Sequence, residues 1–139
     1  MNRHAAITVS RQDDSVAVVA LEGEHDLASA QEATRVFERL VAEGTGVVVD
    51  LSRATFVDTT TVHALVVGRR LAGEAGVRFV VNLPESHVAR RVLALMRVLD
   101  VLPASSDLEE AIELAREPPA ARGRAGGASA DAEQRSRSG

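Results

Sequence analysis

The run Val47-Val48-Val49-Asp50-Leu51 constrains the fold of this chain more than any other stretch of the sequence. It is apolar at nearly every position rather than at alternate positions, which is typical of a strand that is covered on both faces. Strands of this kind belong to parallel sheets with helices packed against them. The run therefore predicts an α/β protein.

Strand and helix patterns alternate on both sides of this run. The order β-β-α-β-α-β-α-(β)-α predicts a mixed sheet of four to five strands packed with about four helices, in which only the first hairpin is antiparallel. The remaining strands are predicted at 7–10, 16–21, 77–82 and, as a short edge strand, 101–102. The helices are predicted to follow Asp26, to run from near Asp58 to about Ala75, to start at Pro84, and to follow the capping-box pattern of Ser106 and Glu109.

Two helices have apolar stripes that should face the core. The first helix should be capped by Asp26 and end near Gly44, a residue suited to the left-handed position after a helix. The third helix should pack through its own stripe. The predicted inward residues are Leu27, Ala30, Ala33, Phe37, Leu40 and Val41 in the first helix, and Val88, Val92, Leu95, Met96 and Leu99 in the third.

The composition changes near residue 117. Residues 117–139 consist mainly of Pro, Ala, Gly, Arg and Ser and contain no large apolar side chain. Such a segment buries too little surface to offset its ordering entropy. We therefore predict one folded domain at 1–116 and a disordered tail at 117–139.

Composition also limits the function classes. The chain has no Cys, all sixteen basic residues are Arg, and the four His are far apart in the sequence, so no catalytic residue, metal site or cofactor is predicted. The net charge of −4 and the scarcity of aromatic residues argue against direct nucleic-acid binding. No apolar run has membrane-spanning length, which predicts a cytoplasmic protein without membrane insertion. An enzyme is therefore not expected.

The most informative candidate site is Asp58-Thr59-Thr60-Thr61, where a helix is predicted to start. Free backbone N–H groups and the helix dipole favour an anion at this position, so a hydroxyl there is suited to carry a phosphate. Local spacing alone also fits a simple helix cap. The residue types by themselves leave both interpretations open.

The chain resembles the STAS domain family, which includes anti-sigma factor antagonists and the tails of sulfate transporters. The resemblance covers about residues 5–116 and rests on Leu21–Leu27, Val47–Ser52 and Phe56–Thr60. It implies that Thr59 is the phosphorylated hydroxyl, with Thr60 as second choice, and that the partner is an anti-sigma factor that is itself a serine/threonine kinase. The partner-binding residues implied are Asp26, Asp58, Thr59, Thr60, Thr61 and His63.

Two positions depart from the family pattern, because Thr61 and His63 stand where the family commonly has glycine. Larger side chains there are expected to enlarge the surface at the docking point. A second function therefore stays open. The protein would be a docking subunit, without a phosphorylation switch, of a lipid-transport ABC complex or a stress-sensing particle. The sequence does not distinguish a monomer from a weak dimer.

Three arginines on the third helix also allow two interpretations. Arg90, Arg91 and Arg97 form either a basic patch that meets an acidic partner or an ordinary solvated face.

Overall fold

The computed structural model describes residues 5–85 and 87–117. The strands are β1 Ala6–Arg11, β2 Val16–His25, β3 Gly46–Asp50, β4 Ala54–Val57, β5 Phe79–Asn82 and β6 Ala104–Ser105. The helices are α1 Leu27–Ala42, α2 Thr59–Ala75, α3 Val88–Leu95 and α4 Leu108–Arg116, with a 3₁₀ turn at Val98–Asp100. The predicted tail falls mainly in residues 118–139, outside the described ranges.

The sheet is mixed, as the sequence predicts. Its order is β1-β2-β3-β5-β6, β1 is antiparallel to β2, and the pairs β2–β3, β3–β5 and β5–β6 are parallel. Strand β4 pairs with the end of β2, beyond the part of β2 that pairs with β3. The α/β class and the mixed sheet with helices packed against it are therefore confirmed.

Strand β3 is covered on both faces, as its apolar run predicts. Val47 and Val49 belong to the larger core, which is formed with α1, α2 and the inner side of α3. Val48 belongs to a smaller core on the opposite face, where it packs with Ala111 and Ala115 of α4. Alternate side chains of one strand thus fill two different cores.

The ends of the first two helices also follow the sequence signals. Asp26 caps α1 and Asp58 caps α2, each by accepting a hydrogen bond from a backbone N–H in the first turn. Gly44 and Gly76 have φ values of +79° and +77°, in the left-handed region that favours glycine after a helix.

Several boundaries differ from the prediction. The sheet has six strands rather than four to five, because the prediction does not include β4; its four residues are too few for a clear periodic signal. The last strand is Ala104–Ser105, not residues 101–102. Helix α3 begins at Val88 rather than Pro84, and α4 is capped by Asp107 rather than Ser106.

The apolar stripe of the third helix was predicted to face inward, and this is wrong for Val88, Val92, Leu95 and Met96, whereas Leu99 does pack against the core. Of this helix only Ala89 and Leu93 are buried, while Val88 and Leu95 are 67% and 76% exposed. Helices α1 and α2 already cover the central strands, so α3 packs mainly against β4 and the 3₁₀ turn. Tertiary competition for the sheet surface decided which side of α3 faces the core.

Candidate functional site

Two helix N-termini lie side by side at one edge of the sheet. Strands β2 and β4 are parallel, and His25 of β2 is in register with Val57 of β4. The residues that follow, Asp26 and Asp58, therefore cap neighbouring helices at the same edge. The short strand β4, which the sequence did not reveal, is what places the two caps together.

Asp58 organises the first turn of α2. One of its carboxylate oxygens, Oδ1, accepts hydrogen bonds from the Thr61 backbone N–H at 3.0 Å, the Thr60 hydroxyl at 2.7 Å and the Thr61 hydroxyl at 3.2 Å. Burial by itself would raise the pKa of Asp58, but the hydrogen bonds from Thr60 and Thr61 outweigh it and lower the pKa below its ordinary value. Asp58 is therefore a fixed negative charge at neutral pH.

The three consecutive threonines have three different environments. Thr61 is only 1% exposed, and its hydroxyl also lies 3.4 Å from the His25 carbonyl oxygen, to which it donates. Thr60 is half-buried and its hydroxyl is committed to Asp58. Thr59 is exposed, and its hydroxyl makes no hydrogen bond to any residue within 5–85 and 87–117. Only Thr59 therefore combines access with a free hydroxyl.

Thr61 departs from the sequence prediction. We expected it to enlarge the docking surface in place of a glycine, but its side chain points inward. The one hydroxyl hydrogen of Thr61 is shared between Asp58 Oδ1 at 3.2 Å and the His25 carbonyl oxygen at 3.4 Å, so this side chain connects the cap of α2 to the end of β2. Thr61 can therefore affect a bound partner only indirectly, through the position of Asp58. His63, in contrast, is exposed and does add surface.

A groove of about 360 Å³ runs between α1 and α2 beside Thr59. Leu27 is 57% exposed at its rim, although the sequence stripe placed it in the core. Leu27 and Gln31 were missed as site residues because nothing in the sequence of α1 shows that its first turn lies beside α2. The groove is lined by Leu27, Ala30, Gln31, Thr34, Thr59, Thr60, His63 and Ala64.

His25 lies buried directly behind the two caps. Its ring Nε2 is 3.0 Å from the Glu22 carbonyl oxygen, so Nε2 carries the proton and donates, and Nδ1 has no partner among the described residues. Burial lowers the pKa of His25 below its ordinary value of 6.5, against the opposing effects of the Glu22 carbonyl and the charges of Asp26, Asp58 and Glu32. The ring is held neutral behind the site.

We expect this burial to make the fold sensitive to mild acid. The unfolded chain binds a proton at His25 more readily than the folded protein does, so the free energy of unfolding falls as the pH drops below 6.5. One such proton contributes a slope of at most about 1.4 kcal/mol per pH unit. Urea unfolding at a series of pH values measures this slope. In His25→Gln the free energy of unfolding should depend less steeply on pH. An unchanged slope in that variant would contradict the assignment.

Within residues 5–85 and 87–117, no group of three or more His, Asp or Glu residues is arranged to hold a metal ion. No helix in these ranges has the length and apolar character needed to cross a membrane.

Comparison with known families gives the class of protein. The model of the STAS domain matches residues 8–111, which is most of the chain. The chain therefore belongs to the STAS domain family. A search of curated proteins finds no match to it.

Solved structures agree with this fold. An anti-sigma factor antagonist from Mycobacterium paratuberculosis is similar with a TM-score of 0.72 and 23% identity, over 82% of this chain and 96% of that one. The anti-sigma factor antagonist SpoIIAA in its unphosphorylated form is similar with a TM-score of 0.66 and 15% identity, over 78% of this chain and 96% of that one. The Bacillus cell fate determinant SpoIIAA in the phosphorylated form is similar with a TM-score of 0.62 and 18% identity, over 80% of this chain and 100% of that one. At these identities the similarity establishes the fold.

Proposed function

We propose that this protein is an anti-sigma factor antagonist that binds an anti-sigma factor kinase and is released when Thr59 is phosphorylated. The observation that carries the proposal is the contrast among the three threonines. Thr61 is buried and Thr60 donates to Asp58, whereas Thr59 is exposed and its hydroxyl has no hydrogen-bond partner in the part of the chain that the structure describes. A kinase that approaches this helix end meets Thr59 as the accessible acceptor.

The surroundings of Thr59 supply a physical reason for release. A phosphate there adds about −1.5 to −2 charges next to Asp58, which is already ionised. The adjoining groove is largely apolar, with Leu27, Ala30 and Ala64 in its lining. A partner packed over this surface would have to desolvate the phosphate beside a like charge, which weakens binding.

The partner surface in this proposal comprises Asp26, Asp58, Thr59, Thr60 and His63, with Leu27 and Gln31 added from the groove. Thr61 acts behind it as a positioning residue for Asp58. In this role the protein regulates sigma-dependent transcription in the cytoplasm through protein contacts, without catalysis of its own and without binding nucleic acid directly.

Phosphorylation and binding can be tested together. Serine/threonine kinase anti-sigma factors from the same genome are each mixed with the protein and ATP, and the phosphate is mapped by mass spectrometry. We expect modification of Thr59 and its loss in Thr59→Ala, which still binds the kinase. Thr59→Glu should bind at least about tenfold more weakly, measured by calorimetry.

The matched control is Thr60→Ser, which keeps the hydroxyl that Asp58 accepts. It should be phosphorylated at Thr59 like the wild type. Phosphate on Thr60 alone, or equal kinase affinity of Thr59→Ala and Thr59→Glu, would contradict the switch.

His63 favours a second candidate, a STAS docking subunit of another assembly such as a lipid-transport ABC complex or a stress-sensing particle. It is exposed at the groove where the family commonly has glycine, so it alters the surface that a kinase would approach. The switching role predicts that His63→Gly binds the anti-sigma factor kinase at least as well as the wild type. Recovery of transporter or particle subunits in a pull-down, with no anti-sigma kinase, would favour the second candidate.

A further inference from the structure

Helix α3 carries an exposed apolar stripe that neither the core nor the Thr59 site uses. The stripe consists of Val88, Val92 and Leu95 together with Met96, the residue directly after the helix, and we call these four residues the α3 stripe. Their spacing places them on one side of the helix, next to the buried side that contains Ala89 and Leu93. No α3 residue lines the groove beside Thr59. A contiguous apolar surface of this kind is typical of an interaction site.

The charges on this helix are all of one sign. The segment Val88–Leu95 contains two arginines and no acidic residue. Arg90 is used within the fold, since its guanidinium donates to the Leu83 carbonyl at 2.6 Å and to the Pro84 carbonyl at 3.4 Å. Arg91 is exposed and has no hydrogen bond or ion pair with the described residues. It borders the stripe and is available to meet a negative charge.

The rest of the chain is unsuited to cover the stripe. Residues 118–139 contain no large apolar side chain, and they carry four Arg against two acidic residues. Such a segment offers nothing to bury against Val88 or Leu95 and is repelled by Arg91. Residues 1–4 contribute a single large apolar residue, Met1.

A second copy and a lipid surface fit less well than a different protein. Two antiparallel α3 helices centred on Val92 bring Arg91 against Arg91, and the segment has no acid to compensate. Anionic membranes are recognised by clusters of about four to eight basic residues. Here one arginine on the helix has no partner among the described residues, Glu85 precedes the helix, and Arg97 beyond its end is already paired with Asp100 at 3.0 Å.

We propose that the α3 stripe binds an amphipathic helix of a partner protein that has acidic residues beside its apolar face. The apolar face covers Val88, Val92, Leu95 and Met96, and a carboxylate pairs with Arg91. This surface is separate from Thr59 and does not depend on the phosphorylation proposed above.

A pair of designed helical peptides of about 18 residues tests the charge preference. Both have leucines along one face; one has glutamates beside that face and the other has lysines. Fluorescence anisotropy with the full chain should show that the acidic peptide binds at least about threefold more tightly. Leu95→Gln should weaken its binding about tenfold, and Arg91→Glu should reverse the order of the two peptides.

The matched control is Arg70→Glu, an exposed change on α2 with the same effect on net charge. It should leave the peptide preference as in the wild type. Thr59→Glu should also leave it unchanged, so a failure of the switch and a failure of this proposal are distinguishable.

Three results would overturn the proposal. The first is equal binding of the two peptides, or equal effects of Arg91→Glu and Arg70→Glu. The second is a dimer in sedimentation that Leu95→Gln abolishes, which would make the occupant a second copy. The third is binding to phosphatidylserine vesicles that Arg91→Glu abolishes, which would make it a lipid surface.

Discussion

Replacement of Gly68 by alanine is expected to lower the free energy of unfolding by about 1–3 kcal/mol. Gly68 lies in the middle of α2, where a Cβ atom would come within 2.6 Å of Phe79 Cε2 and 2.9 Å of Phe37 Cδ2. Both rings are buried, and they pack edge to face with centroids 5.1 Å apart. Because two rigid rings cannot move aside separately, the clash outweighs the gain of about 1 kcal/mol in helix propensity.

Gly73 in the same helix is the matched control. A Cβ atom there meets only the end of the Arg69 side chain, at 3.2 Å, which is free to move. Gly73→Ala should therefore raise the free energy of unfolding by up to about 1 kcal/mol. Urea unfolding of both variants measures the difference, and Phe79→Leu should reduce the cost of Gly68→Ala. Equal stability of the two alanine variants would show that Gly68 does not hold this close contact.

The second large effect is expected at Asp58: Asp58→Ala should lower the free energy of unfolding by about 2–3 kcal/mol. The change removes the cap of α2 and also the acceptor for the Thr60 and Thr61 hydroxyls. Thr61 is buried, so its hydroxyl would keep only the longer contact to the His25 carbonyl. Asp26→Ala is the control, because it removes a cap at an exposed residue and should cost only about 1 kcal/mol.

Asp58→Asn separates charge from hydrogen bonding. Asparagine keeps a cap oxygen, so at neutral pH it should lose much less stability than alanine. The folded pKa of Asp58 lies below 3.8, so its charged form stabilises the fold above that pH, and this contribution is lost as the pH falls through the lower folded pKa. Acid unfolding monitored by circular dichroism should therefore be less steep below pH 4 in Asp58→Asn. If Asp58→Asn loses as much unfolding free energy as Asp58→Ala, the negative charge itself is required.

The sequence by itself determined the class of fold and the helix start at Asp58, where the proposed switch lies. The apolar run of β3 requires cover on both faces, and in the structure every residue of this strand except Asp50 is buried. The caps Asp26 and Asp58 and the glycines after α1 and α2 are local signals whose effect lies within one helical turn. Short-range features of this kind can be predicted because they do not depend on what the rest of the chain does.

Only the tertiary structure decided which of several equivalent residues face outward. Thr59, Thr60 and Thr61 are identical in the sequence, and their environments differ because the end of β2 lies behind Thr61 alone. The stripe of α3 has the periodicity of a core helix, but α1 and α2 cover the central sheet, so that side of α3 is exposed. Periodicity in the sequence specifies that a helix has an apolar side. What covers that side is decided by contacts between elements that are distant in the sequence. Those contacts exist only in the folded chain.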